Sequence, residues 1–340
     1  MTWNPPEDWM RITTIDAHAE GEPLRIITSG LPPILGDTIL ERRRYLRENL
    51  DHLRTALMWE PRGHADMYGA IMTDPVTPKA DAGVLFLHNE GYSTMCGHGI
   101  IGLVTVVLET GLLPTAGPVT TVKLDTPAGL VTAHAKLEGS RVRSVAFENV
   151  PYFVYALDQT VDVPGIGPVR FDLAFGGAFY AYCQAADLGL GLGPPDFRRL
   201  IELGTAIKRA VMDSLSIDHP FEEDLSFLYG TIFVGLPQAG GADSRNDCIF
   251  AEGEVDRCPT GTGVSGRLAL NYARGQLGED QPFVVESIIG TRFTGRILGT
   301  TTFGEYKAII PEFEGSAHIV GRHEFLIDPD DPLRDGFILR

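Results

Sequence analysis

A cysteine placed directly before a glycine-rich loop is the feature of this sequence best suited to chemistry. Cys96 is followed by Gly97, His98 and Gly99, and then by an apolar run to Leu113 that is typical of a buried helix. Glycines at such a junction let backbone N–H groups approach a ligand, and the start of a helix carries partial positive charge. The same surroundings favour the thiolate, which is the nucleophilic and basic form of cysteine. The stretch therefore predicts an anion site beside a reactive thiol.

A second stretch repeats this plan 164 residues further along the chain. Residues 259–277 (PTGTGVSGRLALNYARGQL) align with residues 95–113 (MCGHGIIGLVTVVLETGLL), so Thr260 stands where the first copy has Cys96. Two matching junctions predict one small anionic substrate held between two helix starts. The other aligned pairs are Gly97 with Gly261, His98 with Thr262, Gly99 with Gly263, Gly102 with Gly266, Gly111 with Gly275 and Leu113 with Leu277.

A weaker match at an offset of 156 residues extends the repeat towards the N-terminus. It aligns Asp16 with Asp172 and Gly21 with Gly177, which implies an eight-residue insertion in the second copy. Each half contains strands, a helix, more strands, a buried helix and further strands, a pattern that suits a curled sheet around a central helix. The predicted fold class is therefore α/β (α+β) with two pseudo-symmetric domains, residues 1–149 with 325–340 and residues 150–324.

The outer helix of each half is indicated by its own local signals. Thr38 and Glu41 form a capping-box pattern at the head of an amphipathic segment that runs to about residue 59. Residues 195–214 provide the matching helix of the second half.

Four acidic or imidazole side chains lie close together in the first predicted turn. They are Asp16, His18, Glu20 and Glu22. Such a group has the composition of a metal site, but polar residues in a turn are normally solvated. The second interpretation is preferred, so no metal is predicted.

The composition narrows the class of partner. The 340-residue chain has a net charge of −17, which disfavours nucleic acid and anionic membranes as partners. The N-terminus does not have the pattern of a signal peptide, and the longest apolar run is too short to span a bilayer, so a cytoplasmic protein is expected.

The four cysteines lack metal-ligand spacing and are expected to be free thiols. Neither a Rossmann nor a P-loop pattern is present, and no cofactor is expected.

Four motifs together resemble the proline racemase family, which also includes hydroxyproline epimerases and trans-3-hydroxy-L-proline dehydratases. The resemblance covers nearly the whole chain and implies the diaminopimelate-epimerase-like fold, with the active site in the cleft between the two domains. The motifs are EPRGHADMYG at 60–69, HNEGYSTMCGHG at 88–99, AFGGAFYA at 174–181 and DRCPTGTG at 256–263.

One position departs from the pattern of the racemases and epimerases. In those enzymes two cysteines flank the substrate Cα, and Thr260 stands where the second cysteine is expected, while Cys96 matches the first. A threonine hydroxyl is too weak an acid to serve as a base near neutral pH without an activating partner. The cysteine and threonine pair resembles the 3-hydroxyproline dehydratases. Cys258 is a poor substitute, because it lies two residues away and Pro259 stiffens the loop between them.

The substrate carboxylate is expected at the two helix starts. Backbone N–H groups of Gly97, His98, Gly261 and Thr262 are the predicted donors to the charge that builds on it, and the resemblance assigns the same motifs to carboxylate binding. For His98 two roles stay open, a second base or a neutral hydrogen-bonding group.

The resemblance also implies partners for the rest of the substrate. Asp256 matches an aspartate near the substrate amine, with a helix-approach cap as the structural alternative. Tyr68 and Phe250 match aromatic positions that would enclose the pyrrolidine ring, with core packing as the alternative for Phe250.

The expected function is cofactor-independent dehydration of trans-3-hydroxy-L-proline to Δ1-pyrroline-2-carboxylate, with the Cys96 thiolate removing the Cα proton. In this substrate the hydroxyl and the Cα hydrogen share one ring face, so the elimination is syn and one thiol could act twice. The alternatives are a 4-hydroxyproline 2-epimerase or proline racemase, and a non-catalytic amino-acid-binding protein. The only expected partner is this small molecule; the oligomeric state stays open, with a homodimer as one alternative.

Overall fold

The chain forms two compact units in the computed structural model, which describes residues 3–339. The first unit consists of Pro23–Arg143 together with the N-terminal residues up to Ala19 and the C-terminal residues from Ser316. The second consists of Ser144–Gly315 with the short segment Glu20–Glu22.

The first unit contains a sheet in which a strand near the N-terminus pairs with a strand near the C-terminus. Its helices are α1 (Ile39–Asn49), α2 (Asp51–Met58) and α3 (Gly97–Glu109), and its strands are β1 (Met10–Ala19), β2 (Glu22–Ser29), β3 (Tyr68–Thr73), β4 (Ala82–His88), β5 (Gly91–Ser93), β6 (Val119–Thr126), β7 (Gly129–Glu138) and, at the C-terminus, β18 (Ala317–Ile327). β1 pairs with β18 in antiparallel fashion along its whole length, and it also pairs with β2.

The second unit is a sheet whose strand pairings form a closed ring. Its elements are β8 (Arg141–Glu148), β9 (Tyr152–Val163), β10 (Gly167–Phe175), β11 (Phe179–Gln184), α4 (Phe197–Ser214), β12 (Leu228–Gly235), β13 (Ser244–Phe250), β14 (Glu254–Val255), α5 (Gly261–Ala273), β15 (Phe283–Glu286), β16 (Arg292–Phe303) and β17 (Tyr306–Gly315), with short 3₁₀ turns at Ala185–Leu188, Pro194–Asp196 and Glu223–Leu225. The ring runs from β9 through β10, β11, β12, β13, β15 and β16 to β17, which pairs back with β9.

The two units repeat one order of strand pairing. In the first, β2–β3 is parallel, β3–β4 antiparallel, β4–β6 parallel and β6–β7 antiparallel. In the second, β11–β12, β12–β13, β13–β15 and β15–β16 follow the same alternation. The predicted α+β class with two pseudo-symmetric halves is therefore confirmed.

A buried helix lies at the centre of each sheet, as the apolar patterns predict. α3 packs against β1, β3, β7 and β18, and α5 packs against β9, β10, β13, β16 and β17. Every residue of α3 from Gly97 to Leu108 is buried, which explains why this helix is apolar all round. Among residues 3–339, no helix combines the length and the apolar character needed to cross a membrane.

The outer helix of the first unit is shorter than predicted. The capping box is confirmed, because Thr38 Oγ1 accepts a hydrogen bond from Glu41 N and the Glu41 side chain accepts one from Thr38 N. The single helix predicted to about residue 59 is wrong, however, because Leu50 has φ −128° and ψ 16° and separates α1 from α2. In the second unit, α4 begins at Phe197 and ends at Ser214, close to the prediction.

Two of the four polar residues near the N-terminus, Asp16 and Glu22, are buried rather than solvated, contrary to the preferred interpretation, and the other two are half-buried. The Asp16 carboxylate is paired with the Arg25 guanidinium, with Nη2 and Oδ2 2.8 Å apart. His323 Nε2 lies 3.5 Å from the same carboxylate oxygen. In the second unit, Glu22 Oε2 accepts a hydrogen bond of 2.6 Å from Arg257 N. These carboxylates therefore hold elements together, a use that a one-dimensional turn pattern cannot reveal.

All four cysteines are buried thiols outside any disulfide, as expected. Cys183 lies in β11 and Cys248 in β13, so both belong to sheet elements. Burial, followed by the charges of Asp172 and Asp187, raises the pKa of Cys183 to about 12.

Close packing against α5 makes Gly266 a sensitive position. A Cβ at Gly266 would lie 1.9 Å from Tyr182 Oη, and this tyrosine is buried with its hydroxyl donating to Gly263 O. We expect Gly266→Val to lower the free energy of unfolding by at least about 1–3 kcal/mol in urea denaturation, the usual cost of overpacking. Gly299→Val is the matched control, because no heavy atom lies within 4 Å of a Cβ at Gly299. Equal stability of the two variants would contradict this packing.

Candidate active site

Cys96 lies at the N-terminus of the central helix of the first unit, where it acts as the N-cap. Its backbone is extended, and its Sγ accepts a hydrogen bond of 3.3 Å from Gly99 N. Gly99 is needed at this position, because a Cβ would lie 2.9 Å from Sγ and 2.6 Å from Phe86 Cε1. An N–H donor and the helix dipole both favour negative charge on the sulfur. The predicted combination of thiol and helix start is therefore present.

The imidazole of His98 lies against the Cys96 thiol. Nδ1 is 3.3 Å and Nε2 is 3.7 Å from Sγ, and both residues are buried. A sulfur and a ring nitrogen at this separation can exchange a proton directly, as in enzymes that activate cysteine with a neighbouring histidine. The pair thus has the geometry for proton exchange within the first unit.

Tyr68 forms one wall beside this pair. Its ring meets the His98 ring edge-on at a centroid distance of 4.7 Å and stacks on His88 at 5.5 Å. Its hydroxyl is hydrogen-bonded to Ser93 Oγ on β5. The predicted aromatic position is therefore next to the thiol and imidazole, held from the side by strand β5.

Thr260 occupies the equivalent N-cap position of α5 in the second unit, with a different local structure. Its φ of 64° and ψ of 100° are rare for a β-branched residue, and its side chain does not cap the helix. Its Oγ1 is buried and has no hydrogen-bond partner within residues 3–339. The Thr260 hydroxyl acts to lower the pKa of the neighbouring Cys248 thiol. The contact between the two side chains does not have the geometry of a hydrogen bond. Burial is the larger effect and leaves the pKa of Cys248 well above its usual value.

The loop before Thr260 is held by Asp256 and Cys258. Asp256 Oδ1 accepts a hydrogen bond of 2.9 Å from Cys258 N, and Cys258 Sγ accepts one of 3.4 Å from Thr260 N. Burial, with the nearby carboxylates of Asp256 and Glu22, raises the pKa of Cys258 well above its usual value. Burial therefore favours the protonated thiol of Cys258, which supports the loop through its contact with Thr260 N.

Aromatic residues surround the second junction as well. Thr262 Oγ1 is hydrogen-bonded to Tyr180 Oη at 2.9 Å, and burial raises the pKa of Tyr180 well above its usual value, so this phenol is neutral. Tyr180 meets Tyr229 edge-on, and Tyr229 stacks on Phe250 at 5.5 Å. The two interpretations of Phe250 are thus not exclusive, because its ring is packed in a row that leads to the start of α5.

The sequence prediction missed Ser93, Tyr180 and Tyr229. Tyr180 lies in β11 and Thr262 in α5, 82 residues apart in the chain, so only the tertiary fold brings them together. Tyr180 does lie within the AFGGAFYA motif, which was the one available signal.

The four thiols should differ sharply in reactivity near neutral pH. Cys183, Cys248 and Cys258 have raised pKa values, whereas Cys96 receives an N–H hydrogen bond at a helix start. We expect iodoacetate to alkylate Cys96 selectively in the folded protein, as measured by peptide mass spectrometry. The Cys96→Ala variant is the control, and rapid labelling of Cys258 in that variant would contradict the assignment.

Comparison with known proteins connects this geometry to a family. The chain is 48% identical over 341 residues to a trans-3-hydroxy-L-proline dehydratase from Colwellia psychrerythraea, which covers 99% of this chain and 96% of that protein. It is 46% identical over 329 residues to a 3-hydroxyproline 2-epimerase from Burkholderia multivorans, covering 97% and 98% of the two chains.

The fold matches that of solved relatives. A hydroxyproline epimerase from Agrobacterium vitis, crystallised with trans-4-hydroxy-L-proline, superposes with a TM-score of 0.92 at 34% identity, covering 98% of this chain and 96% of that chain. The family model described as proline racemase matches residues 14–338. The predicted resemblance is confirmed, and the chain belongs to the proline racemase family.

Proposed function

We propose that this protein dehydrates trans-3-hydroxy-L-proline to Δ1-pyrroline-2-carboxylate without a cofactor. The observation that carries the proposal is the difference between its two helix starts. Cys96 lies beside His98 at one, whereas the other has Thr260, whose hydroxyl is a poor base near neutral pH. Relatives at 46–48% identity that are named trans-3-hydroxy-L-proline dehydratases support this substrate.

Cys96 is the proposed base. Its thiolate takes the Cα proton, and negative charge then builds on the substrate carboxylate. Backbone N–H groups at Gly97–His98 and Gly261–Thr262 are the proposed donors to that charge, because preorganised donors stabilise a transition state more than a ground state. The proposal requires both helix starts to contact one substrate.

Thr260 and Asp256 are the proposed contacts that bind without removing a proton from carbon. The buried Thr260 Oγ1 has unused hydrogen-bonding capacity, which a bound substrate would satisfy. Asp256 would pair with the ring ammonium. One of its oxygens already supports the loop through Cys258 N, so its position is fixed before substrate arrives.

Epimerisation is the second candidate activity. It is favoured by the relative from Burkholderia multivorans, which is named a 3-hydroxyproline 2-epimerase at 46% identity. Inversion at Cα needs a proton donor on the ring face opposite to the base. A threonine hydroxyl is a poor acid and a poor base near neutral pH, which is why dehydration is preferred.

The direct test uses proton NMR in deuterated water with the purified protein. We expect loss of trans-3-hydroxy-L-proline to a pyrroline product, and no inversion of trans-4-hydroxy-L-proline or L-proline. Cys96→Ser should reduce the rate by about 10³-fold or more, since it removes the nucleophilic base. Inversion at Cα by the unmodified protein would support the epimerase instead, and binding without turnover of any of the three would support a non-catalytic protein.

Restoring a second thiol should change the reaction. We expect Thr260→Cys to gain inversion of trans-4-hydroxy-L-proline to cis-4-hydroxy-D-proline, detected as a separate diastereomer by NMR with deuterium at Cα. Thr260→Ser is the matched control, because it keeps a hydroxyl and adds no thiol. Equal inversion by the serine variant, or none by the cysteine variant while it still dehydrates the 3-hydroxy substrate, would argue against position 260 as the determinant.

A further inference from the structure

Dehydration requires an acid as well as a base, because hydroxide is a poor leaving group. We propose that His98 is this acid, and that Cys96 and His98 together form a one-face proton relay. The proposal rests on the dehydratase function proposed above and deepens it by assigning the second proton transfer.

The first argument is stereochemical. The hydroxyl of trans-3-hydroxy-L-proline lies on the same ring face as the Cα hydrogen and on the adjacent carbon. When Cys96 Sγ takes that hydrogen, the leaving oxygen is therefore on the thiol side of the ring. The acid must lie next to Sγ, and a residue reaching the opposite face could not serve.

The second argument is geometric. Both ring nitrogens of His98 lie within 3.7 Å of Cys96 Sγ, and Nδ1 is the nearer at 3.3 Å. The imidazole is held by the edge contact with Tyr68 and by its place in the first turn of α3, where it is buried. It is thus fixed at the location that the syn geometry requires.

The proton balance closes with these two residues alone. At the start the thiolate is on Cys96 and the proton is on His98. Cys96 takes the Cα proton, the Cα electron pair forms the C2–C3 double bond, and the C3–O bond breaks as His98 protonates the oxygen to release water. The thiol proton of Cys96 then passes to His98 across the 3.3 Å contact and restores the pair. The enamine tautomerises to the imine after release.

Tyr68 is the nearest rival acid. Its hydroxyl is already hydrogen-bonded to Ser93, and its ring meets the His98 ring edge-on. A phenol is also a much weaker acid than an imidazolium. The structure therefore favours His98.

The test compares two leaving groups on one ring. trans-3-Fluoro-L-proline loses fluoride, which needs far less protonation than hydroxide. We expect His98→Gln to slow elimination from trans-3-hydroxy-L-proline by about 10²–10⁴-fold, the usual worth of a general acid. Elimination from the fluoro substrate should fall by less than about 10-fold, and Cα hydrogen exchange with deuterated water should persist. His98→Asn, which places an amide near the Nδ1 position, should give the same contrast and provides a second variant if His98→Gln folds poorly.

Two further variants separate the relay from general disturbance of this region. His88→Gln removes another buried histidine that packs on Tyr68, and it should leave the ratio of the hydroxy to the fluoro rate unchanged. Tyr68→Phe removes only a hydroxyl and should also leave the ratio unchanged. A selective loss of the hydroxy reaction in Tyr68→Phe would move the acid to Tyr68 and overturn the proposal. An equal loss of both reactions in the folded His98 variants would overturn it as well.

The unmodified protein distinguishes this inference from the function it rests on. If the unmodified protein eliminates neither substrate, the proposed dehydratase function fails. If it eliminates both, and the His98 variants keep the ratio of the unmodified protein, only the relay fails.

Discussion

The constraint on which this structure depends is that the first backbone N–H groups of a helix enclosed by strands need hydrogen-bond partners. The first N–H groups of any α-helix have no partner within the helix, and where the helix is buried they must bind a side chain, water or a ligand. α3 and α5 each lie at the centre of a sheet, so polar groups lie at their N-termini in otherwise apolar surroundings. The glycines that follow Cys96 and Thr260 keep those N–H groups accessible.

The two copies meet this constraint in different ways. At α3 the sulfur of Cys96 accepts the Gly99 N–H, so the cap and the reactive group are the same atom. At α5 the Thr260 side chain caps nothing, and its backbone adopts a strained conformation that places a lone hydroxyl in the interior. The two units thus share the same arrangement of strands and central helix, but they differ in the residue and hydrogen bonds at the start of that helix.

Much of this arrangement could be predicted from the sequence, because it is encoded locally or by repetition. The glycine-rich junctions, the capping box at Thr38 and the duplicated pattern all depend on residues close in the chain or at a fixed offset. The ion pair of Asp16 with Arg25 and the bond between Tyr180 and Thr262 could not be predicted in this way. The first depends on which side chains two neighbouring strands turn towards each other, and the second on how α5 packs against the sheet, and a linear pattern shows neither. No glycine or proline near Leu50 indicates the break between α1 and α2 in the sequence.

The pairing of β1 with β18 has a consequence for how the protein is made. Met10 is paired with Ile327 and Ala19 with Ala317, so the sheet that surrounds the Cys96 helix includes a strand that follows the whole second unit in the chain. All strands of the closed ring in the second unit, by contrast, are translated before β18. The order of folding during translation would then be the reverse of the usual N-terminal-first order. The first unit would remain incompletely folded, with its apolar helix α3 partly uncovered, until β18 is translated and pairs with β1. A truncation that removes β18 would thus first damage the unit that contains the N-terminal strand.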